Sequence, residues 1–502
     1  MRILAKILAL SLLLCGCVVA DASDVVEIGS RLEMFVDHHL VERMENTRLK
    51  LQTPRDAGEV LTFDEPWEGP FVGYLTMIQN DGKYQLFYRG KTAMTRAGAP
   101  DETTCYAESA DGIHWTRPDL GLYEVRETTA NNIIFDNSFA PVCSNFGVFL
   151  DTRPGVPESE RYKGLGGTFT DLKGRIVSSD GLVGFVSVDG IHWNRLQEKA
   201  VIGRDLHPNK WSDTSMPSTF WSESEGQYVC YVRAWKDRDE EKGPNACRWI
   251  ARTTSPDFVH WSPIEMMEYQ EDGLPSQLYL ANTFSYFRAP HIYLAITARL
   301  CDGRQVLTPR QARAIGVPQH SWKDLSDVVL MSSRGGLRYD RTFMSSFLRP
   351  GLGPQNWVTR CSFPALGVVQ TGPGELSIYI ERDNAQSTSH LRRYTLRLDG
   401  FASVHAPYEG GEMVTRPLMF TGNKLVINFA TSASGRIHCE IQDASGKPIP
   451  GFALSDCKEI GGDEIERTVH WKGGSDVSKL AGKPVRLRFM MKDGDLFALK
   501  FK

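Results

Sequence analysis

Several acidic side chains stand where strand-like runs begin or end: Asp64, Glu68, Glu102, Asp213 and Glu381. Two carboxyl groups with different proton affinities can cleave a glycosidic bond: one protonates the leaving oxygen while the other attacks or activates water. Glu68 or Asp64, leading into the first strand of a repeated unit, is the first choice for base or nucleophile. Asp213 holds the matching place in a third unit and is the second carboxylate, while Glu102 and Glu381 compete for the general acid. Arg89, Arg233 and Arg299 close second strands, Asn282 opens a first strand, and Trp357 and Arg360 lead into another. Arginine and asparagine hold hydroxyls or anionic substituents, and tryptophan stacks on a ring face, so this set reads as a sugar site. The three strand-closing arginines point to a carboxylated or sulfated sugar. Simpler roles stand beside these. Asp64 and Asp213 also suit turn caps, and the arginines suit ion pairs with Glu102 or Glu381.

The elements that must position these residues announce themselves by repetition. Ser109-Ala110-Asp111-Gly112-Ile113-His114-Trp115 returns as Ser187-Val188-Asp189-Gly190-Ile191-His192-Trp193 and as Ser255-Pro256-Asp257-Phe258-Val259-His260-Trp261. A weaker copy runs from Ser333 to Tyr339, and a remnant is Leu398-Asp399-Gly400-Phe401. A step of roughly 60 to 80 residues between copies signals radially arranged units. Each copy follows a β-type run, with Asp and Gly making a turn and Trp folding back on its sheet. The expected fold is therefore all-β: a five-bladed β-propeller followed by a C-terminal β-sandwich. His114, His192 and His260 recur inside the repeat and read as structural. Each blade is a meander, so the start of strand one, the end of strand two and the start of strand three share one end of the central channel. That end collects the residues named above, together with Asn145 and Asp151 from the second blade.

The 502 residues, 45 of them glycine and 10% aromatic, suit a large β-rich chain. The net charge of -4 argues against a nucleic-acid partner. Residues 1–22 read as a secretory signal, with Arg2 and Lys6, an apolar core from Ile7 to Leu14, and Ala20-Asp21-Ala22 as the cleavage site. Leu14-Cys15-Gly16-Cys17 also resembles a lipoprotein box with Cys17 as the anchored residue. No later run is long and apolar enough to span a bilayer. The expected division is 1–22 signal, 23–60 a segment lying across the propeller or closing its ring, 61–410 propeller and 411–502 sandwich. Cys230 with Cys247, and Cys439 with Cys457, flank loops between strand-like runs and could close disulfides in an oxidising compartment. The cysteine spacings do not resemble a zinc site. His38 and His39 are adjacent on a strand-like run and point to opposite faces, which suits no metal. The reading calls for no metal and no cofactor.

The Ser-x-Asp-Gly-x-x-Trp copies, the lead-in Thr103-Thr104-Cys105-Tyr106-Ala107-Glu108 and the segment Phe63-Asp64-Glu65-Pro66-Trp67-Glu68-Gly69 carry a family resemblance. With His470-Trp471-Lys472-Gly473-Gly474-Ser475-Asp476-Val477, they resemble exported bacterial proteins of planctomycete type described as similar to glycosyl hydrolase family 32. The resemblance covers nearly all of the chain after residue 22 and implies a secreted glycosidase acting on a plant or algal carbohydrate. Invertases carry Asn-Asp-Pro where this chain has Asp64-Glu65-Pro66, and their Arg-Asp-Pro and Glu-Cys motifs have no counterpart here. The arabinanase and xylosidase clan, with acids at the starts of inner strands, suits Asp64 or Glu68 with Asp213 equally. Two other classes stay open: a non-catalytic carbohydrate-binding propeller and a protein-binding scaffold. Their marks would be carboxylates tied up with arginine and an apolar rim, respectively.

Overall fold

The computed structural model describes residues 25–93, 101–169, 181–208, 215–236, 246–269, 277–318 and 321–502. Five antiparallel sheets form five blades. Blade 1 comprises Gly73–Asn80, Lys83–Lys91 and Glu102–Ser109, with Trp115–Thr116 and Ile133–Phe135 outside them. Blade 2 is built on Gly147–Leu150, Tyr162–Thr168 and Gly181–Ser187. Blade 3 uses Ser218–Ser222, Gln227–Lys236 and Cys247–Ser255. Blade 4 uses Thr283–Tyr286, Ala289–Cys301 and Leu325–Ser333. Blade 5 uses Phe363–Pro364 and Val369–Gly372 as a broken inner strand, then Glu375–Arg382 and His390–Arg397. Its outer strand comes from the other end of the chain: Arg55–Thr62 pairs antiparallel with His390–Arg397. Early and late residues thus share one sheet, which closes the ring.

The repeated motif explains why five separate sheets hold together. In the first copy the Asp111 carboxylate accepts from the Ile113 and His114 amides, both at 2.8 Å, and from His114 Nδ1 at 2.7 Å. Ser109 Oγ accepts from the Gly112 amide, and the Trp115 indole donates to the Gly112 carbonyl. The same bonds recur around Asp189 and Asp257. Each turn also presses on the blade before it. The Tyr379 hydroxyl of blade 5 donates to Gly112 O at 2.7 Å, and a Cβ on Gly112, whose φ is +74°, would lie 2.6 Å from that oxygen. In the third copy Phe258 takes the left-handed conformation itself, at φ 72°. Its buried ring packs on Phe149 of blade 2 at 5.6 Å, and that burial offsets the backbone strain. The remnant Asp399 does likewise, accepting from Tyr286 and Arg288 of blade 4.

Blade contacts around the channel leave little room. A Cβ on Gly147 would stand 2.1 Å from the backbone oxygen of Pro217, at the start of blade 3. Gly147→Ala is therefore expected to lower stability by about 1–3 kcal/mol, since backbone, unlike a flexible side chain, must move. Urea unfolding beside wild type measures it.

The remaining strands form one β-sandwich-like body. Val26–Gly29, Glu33–Met34, Val41–Glu45 and Arg48–Leu51 join Ala402–Ala406, Gly411–Thr415 and Leu418–Phe420 around the long strands Leu425–Asp443 and Val485–Phe501. Register shifts at Asn428/Phe429 and Thr431/Arg436 bend the long pair so that it wraps one core, including Phe429, Ile437, Trp471, Phe489 and Phe501. Segment 23–60 thus divides, its first strands going to this body and Arg55–Thr62 to blade 5. A buried ion network ties the two bodies. Glu33 accepts from His291 Nε2 of blade 4 at 2.8 Å and from Arg334 Nη1 at 2.8 Å, while Arg334 Nε also meets Asp37 at 2.8 Å. Burial would raise the Glu33 carboxyl, but the His291 hydrogen bond and the Arg334 charge outweigh it and hold its pKa at about 2. A carboxyl depressed on folding stabilises above its ordinary value and loses that contribution as pH falls through its folded value. Wild type should therefore lose stability between about pH 4.5 and 2 more steeply than Glu33→Gln, by unfolding at stepped pH.

All eight cysteines after residue 24 are free thiols. Cys230 lies opposite Thr253 and Cys247 opposite Lys236, six positions along the same strand pair. That offset spans roughly 20 Å, which corrects the expected disulfide. Cys439 and Cys457 are neighbours, the Cys439 amide donating to Cys457 Sγ at 3.2 Å. His38 meets Thr342 and the His39 amide meets Asp37, in a bend and not on a strand. Among the described residues no helix is long and apolar enough to cross a membrane.

Candidate functional site

The five inner strands surround a channel. Toward their C-terminal ends it widens into an apolar cavity of about 300 Å³, with Thr76, Val148, Thr219, Phe284 and Val368 among its lining. The opposite mouth, where inner strands begin and second strands end, has different chemistry. There the Arg89 guanidinium of blade 1 lies 4.7 Å from the Tyr74 ring centre. Arg233 of blade 3 lies 4.7 Å from the Tyr279 ring, with Arg248 at 5.3 Å and Arg360 at 5.4 Å from the same ring. Arg248 also covers Trp235 at 4.8 Å, and Phe363 packs against Tyr279 at 5.0 Å. Two of these residues sit in the left-handed region, Tyr74 at φ 52° and Arg360 at φ 59°. Such a conformation costs on the order of 1–3 kcal/mol at a residue with a side chain and gathers at functional sites. Gly73 faces Arg89 across the sheet, and a Cβ there would stand 3.3 Å from Arg89 Nη2, so the glycine makes room for the guanidinium.

Among the described residues one carboxyl belongs to this mouth. Glu381, at the end of the second strand of blade 5, is opposite Phe363 in register and fully buried. Asn384 Nδ2 donates to its Oε1 at 3.1 Å, and Oε2 has no hydrogen-bond partner among the described residues. Burial pushes its pKa well above the usual glutamate range, against the opposing pull of Asn384, Arg89 and Arg360. Glu381 is thus a buried carboxyl whose environment favours its protonated form, beside cations. The Tyr74 phenol is also raised, by burial first and then by its neighbour Tyr279, so it stays a hydroxyl that can donate.

The other expected site residues are placed differently. Glu68 is buried, but its Oε1 accepts from Arg117 Nε at 2.8 Å and from the Tyr88 hydroxyl. Its Oε2 accepts from Arg117 Nη2 and from the Glu65 amide, both at 3.0 Å. Arg117 follows the outer strand of blade 1, so this pair fastens the lead-in segment to the blade and does not serve the channel. Asp64 is exposed at the rim, 3.4 Å from the same Arg117. Glu102 is buried opposite Lys91 and bound by its ammonium at 2.5 Å. Asp213 lies outside the described residues. Arg299 is held bidentate by Asp327, at 2.9 and 2.6 Å, and also meets Met344 O. Trp357 donates to Gly351 O and packs on a satellite cluster with Leu307 and Val358. Asn145 spends its amide on Gly167 and Ser215, and Asp151 pairs with Lys163 and Tyr228. Asn282 Nδ2 bridges to Pro364 O of blade 5 at 2.7 Å, and its buried Oδ1 lacks a partner among the described residues.

The mouth therefore joins Arg89, Arg233, Arg360 and Glu381. Sequence reasoning passed over Tyr74, Tyr279, Arg248 and Trp235, because a tyrosine at a strand start reads as core. Their signal was position: Tyr74 and Tyr279 stand where inner strands begin, and Trp235 and Arg248 flank the loop after a second strand. Among the described residues no three His, Cys, Asp or Glu side chains gather in a way that could hold a metal ion.

No protein-family model matches the chain, and no curated protein does. Solved structures do resemble it. One described as a glycoside hydrolase is 11% identical, with a TM-score of 0.45, over 69% of this chain and 92% of that one. An N-acetylgalactosamine deacetylase from F. plautii, solved with blood group B trisaccharide, is 12% identical with a TM-score of 0.46, over 70% of this chain and 97% of that one. A family 43 arabinoxylan arabinofuranohydrolase from Bacillus subtilis, solved with cellotetraose, is 10% identical with a TM-score of 0.39, over 88% of this chain and 99% of that one. At such TM-scores the likenesses assign no activity and no substrate to this chain. The fold and the mouth define a class by themselves: a five-bladed β-propeller with an arginine- and tyrosine-lined channel mouth that holds a buried acid, Glu381.

Proposed function

We propose that the chain is an exported glycoside hydrolase, broadly of the propeller clan that includes glycosyl hydrolase family 32, with its site at the arginine-lined mouth. The observation that carries this reading is Glu381, a fully buried carboxyl at the mouth whose burial raises its proton affinity above the usual glutamate range. A sugar seated over Tyr279 would offer its glycosidic oxygen to Glu381. As the anomeric carbon–oxygen bond breaks, the Glu381 proton goes to the leaving oxygen. Water adds to the anomeric carbon and gives its proton to a second carboxylate. Asp213, two positions before Ser215 at the start of blade 3, is proposed for that base from its place in the sequence. Tyr74 and Asn282 supply neutral polar groups for ring hydroxyls.

A second reading, a carbohydrate-binding protein without turnover, is favoured by one observation: Glu68 and Glu102 are both consumed by ion pairs. Reducing-sugar release from neutral, uronic and sulfated glycans, with Glu381→Gln and Asp213→Asn alongside, separates the two. Turnover lost in both variants supports hydrolysis. Binding by all three proteins with release by none supports the binding reading.

A further inference from the structure

We propose that Cys439 and Cys457 are a disulfide-forming pair, and that their oxidation staples residues 444–462 to the long strand pair of the β-sandwich-like body. Both are thiols here, yet they stand side by side. The Cys439 amide donates to Cys457 Sγ at 3.2 Å, so this sulfur takes the place of a carbonyl oxygen in the ladder between strand and loop. Two residues earlier on the strand, Ile437 and Ile460 exchange both backbone bonds, at 2.8 and 3.0 Å. Trp471 holds both cysteines from a third segment. Its indole donates to Cys439 O at 2.9 Å, and its backbone bridges to that of Cys457. The two side chains belong to one buried core, so they share a face of the body. Adding an N–Cα bond to the 3.2 Å contact puts the Cys457 sulfur within about 4.7 Å of the Cys439 Cα. Bridged Cα atoms stand about 4.4–6.8 Å apart. The bridge therefore asks for side-chain rotation and not for a new register, in contrast to Cys230 and Cys247.

Burial sets the order of the steps. Cys457 is 8% exposed and Cys439 not at all, so exchange begins at Cys457. Its thiolate attacks one sulfur of a disulfide oxidant of the glutathione class and expels one thiolate, leaving a mixed disulfide. The Cys439 thiolate then attacks Cys457 Sγ and expels the other. The two cysteine protons and two electrons leave with the two reduced thiols. Burial raises both cysteines above their ordinary value, so exchange quickens as pH rises. The bridge closes a loop between residues 18 positions apart, whose other anchors include the partly buried Ile449 and Phe452. Closing such a loop restricts the unfolded chain and so stabilises the folded one.

Peptide mass and thermal unfolding test this on the whole protein, incubated with oxidised glutathione or with dithiothreitol at about pH 8.5 and then alkylated in denaturant. Trypsin releases residues 437–458 as one peptide, because Lys447 precedes Pro448. After oxidation that peptide should carry no alkyl group and be lighter by two hydrogens; after dithiothreitol it should carry two alkyl groups. The oxidised protein should unfold about 5 °C higher than the reduced one. Cys457→Ser, whose hydroxyl still accepts from the Cys439 amide, should show neither the bridged peptide nor the shift. The mass reading on wild type needs no variant to fold. An oxidised peptide that still takes two alkyl groups, or that carries glutathione without a bridge, overturns the pairing. A bridged peptide without a thermal shift, or a shift that Cys457→Ser shares, overturns the staple.

Discussion

Glu381→Gln should lower turnover of the cleaved glycan by about 10²- to 10⁴-fold, the range a positioned general acid contributes, with little change in binding. Glutamine matches the shape and keeps a bond to Asn384 but has no proton to give. The pH dependence carries a second signature. Because burial raises the Glu381 pKa well above the usual range, the acid form persists to higher pH than an ordinary glutamate allows. Activity should fall on the alkaline side as that proton leaves, and residual activity of the variant should lack this limb. Stability moves in the same sense. The folded chain keeps a proton that the unfolded chain releases near its ordinary value of 4.5, so rising pH above that value favours unfolding. The stability of Glu381→Gln relative to wild type should therefore rise between pH 5 and pH 8, as urea unfolding at the two values will show.

Arg117→Ala should destabilise the propeller by about 3–5 kcal/mol, because it strips a buried carboxylate of its ion-pair partner. Glu68 has no exposure to water, and two of its four hydrogen bonds come from Arg117. Tyr88 and the Glu65 amide would remain but bring no charge. Burial already pushes Glu68 upward in pKa against the pull of Arg117, so loss of the arginine should leave it protonated. The double variant Arg117→Met with Glu68→Met should recover much of the loss, since apolar side chains fill the space without a desolvation cost. Equal loss in the single and double variants would refute the ion-pair account. Glycan binding at the mouth serves as a control, for neither residue touches Arg89, Tyr279 or Glu381.

The wide role of Arg117 shows why the sequence misdirects at Glu68. A carboxylate leading into an inner strand has the right address for catalysis, yet its partner lies far along the chain, beyond the outer strand of the blade. Glu102 repeats the point across one sheet, where register alone sets Lys91 opposite it. Arg299 and Asp327 form the same kind of cross-strand pair. Pairing of charges is a matter of three-dimensional neighbours, and spacing in a single chain does not report it.

Local chemistry, by contrast, was fully legible. The Asp-Gly turn with its returning Trp is bonded within seven residues, so Asp111, Asp189 and Asp257 could be recognised wherever they occur. One turn per blade then gave the blade count and, through alternation, the strands. By itself the sequence determined an all-β ring of five blades with a second β body, and it named Arg89, Arg233, Arg360 and Glu381 among residues at one end of the ring. Only the tertiary structure decided that Arg55–Thr62 closes blade 5, that Tyr74 and Tyr279 gather the arginines, and that Glu381 alone of the described candidate acids stands among them. The reason is physical: turns and strands are fixed by bonds between near neighbours, whereas a channel mouth is assembled from blades far apart in the chain, and burial sets its charges.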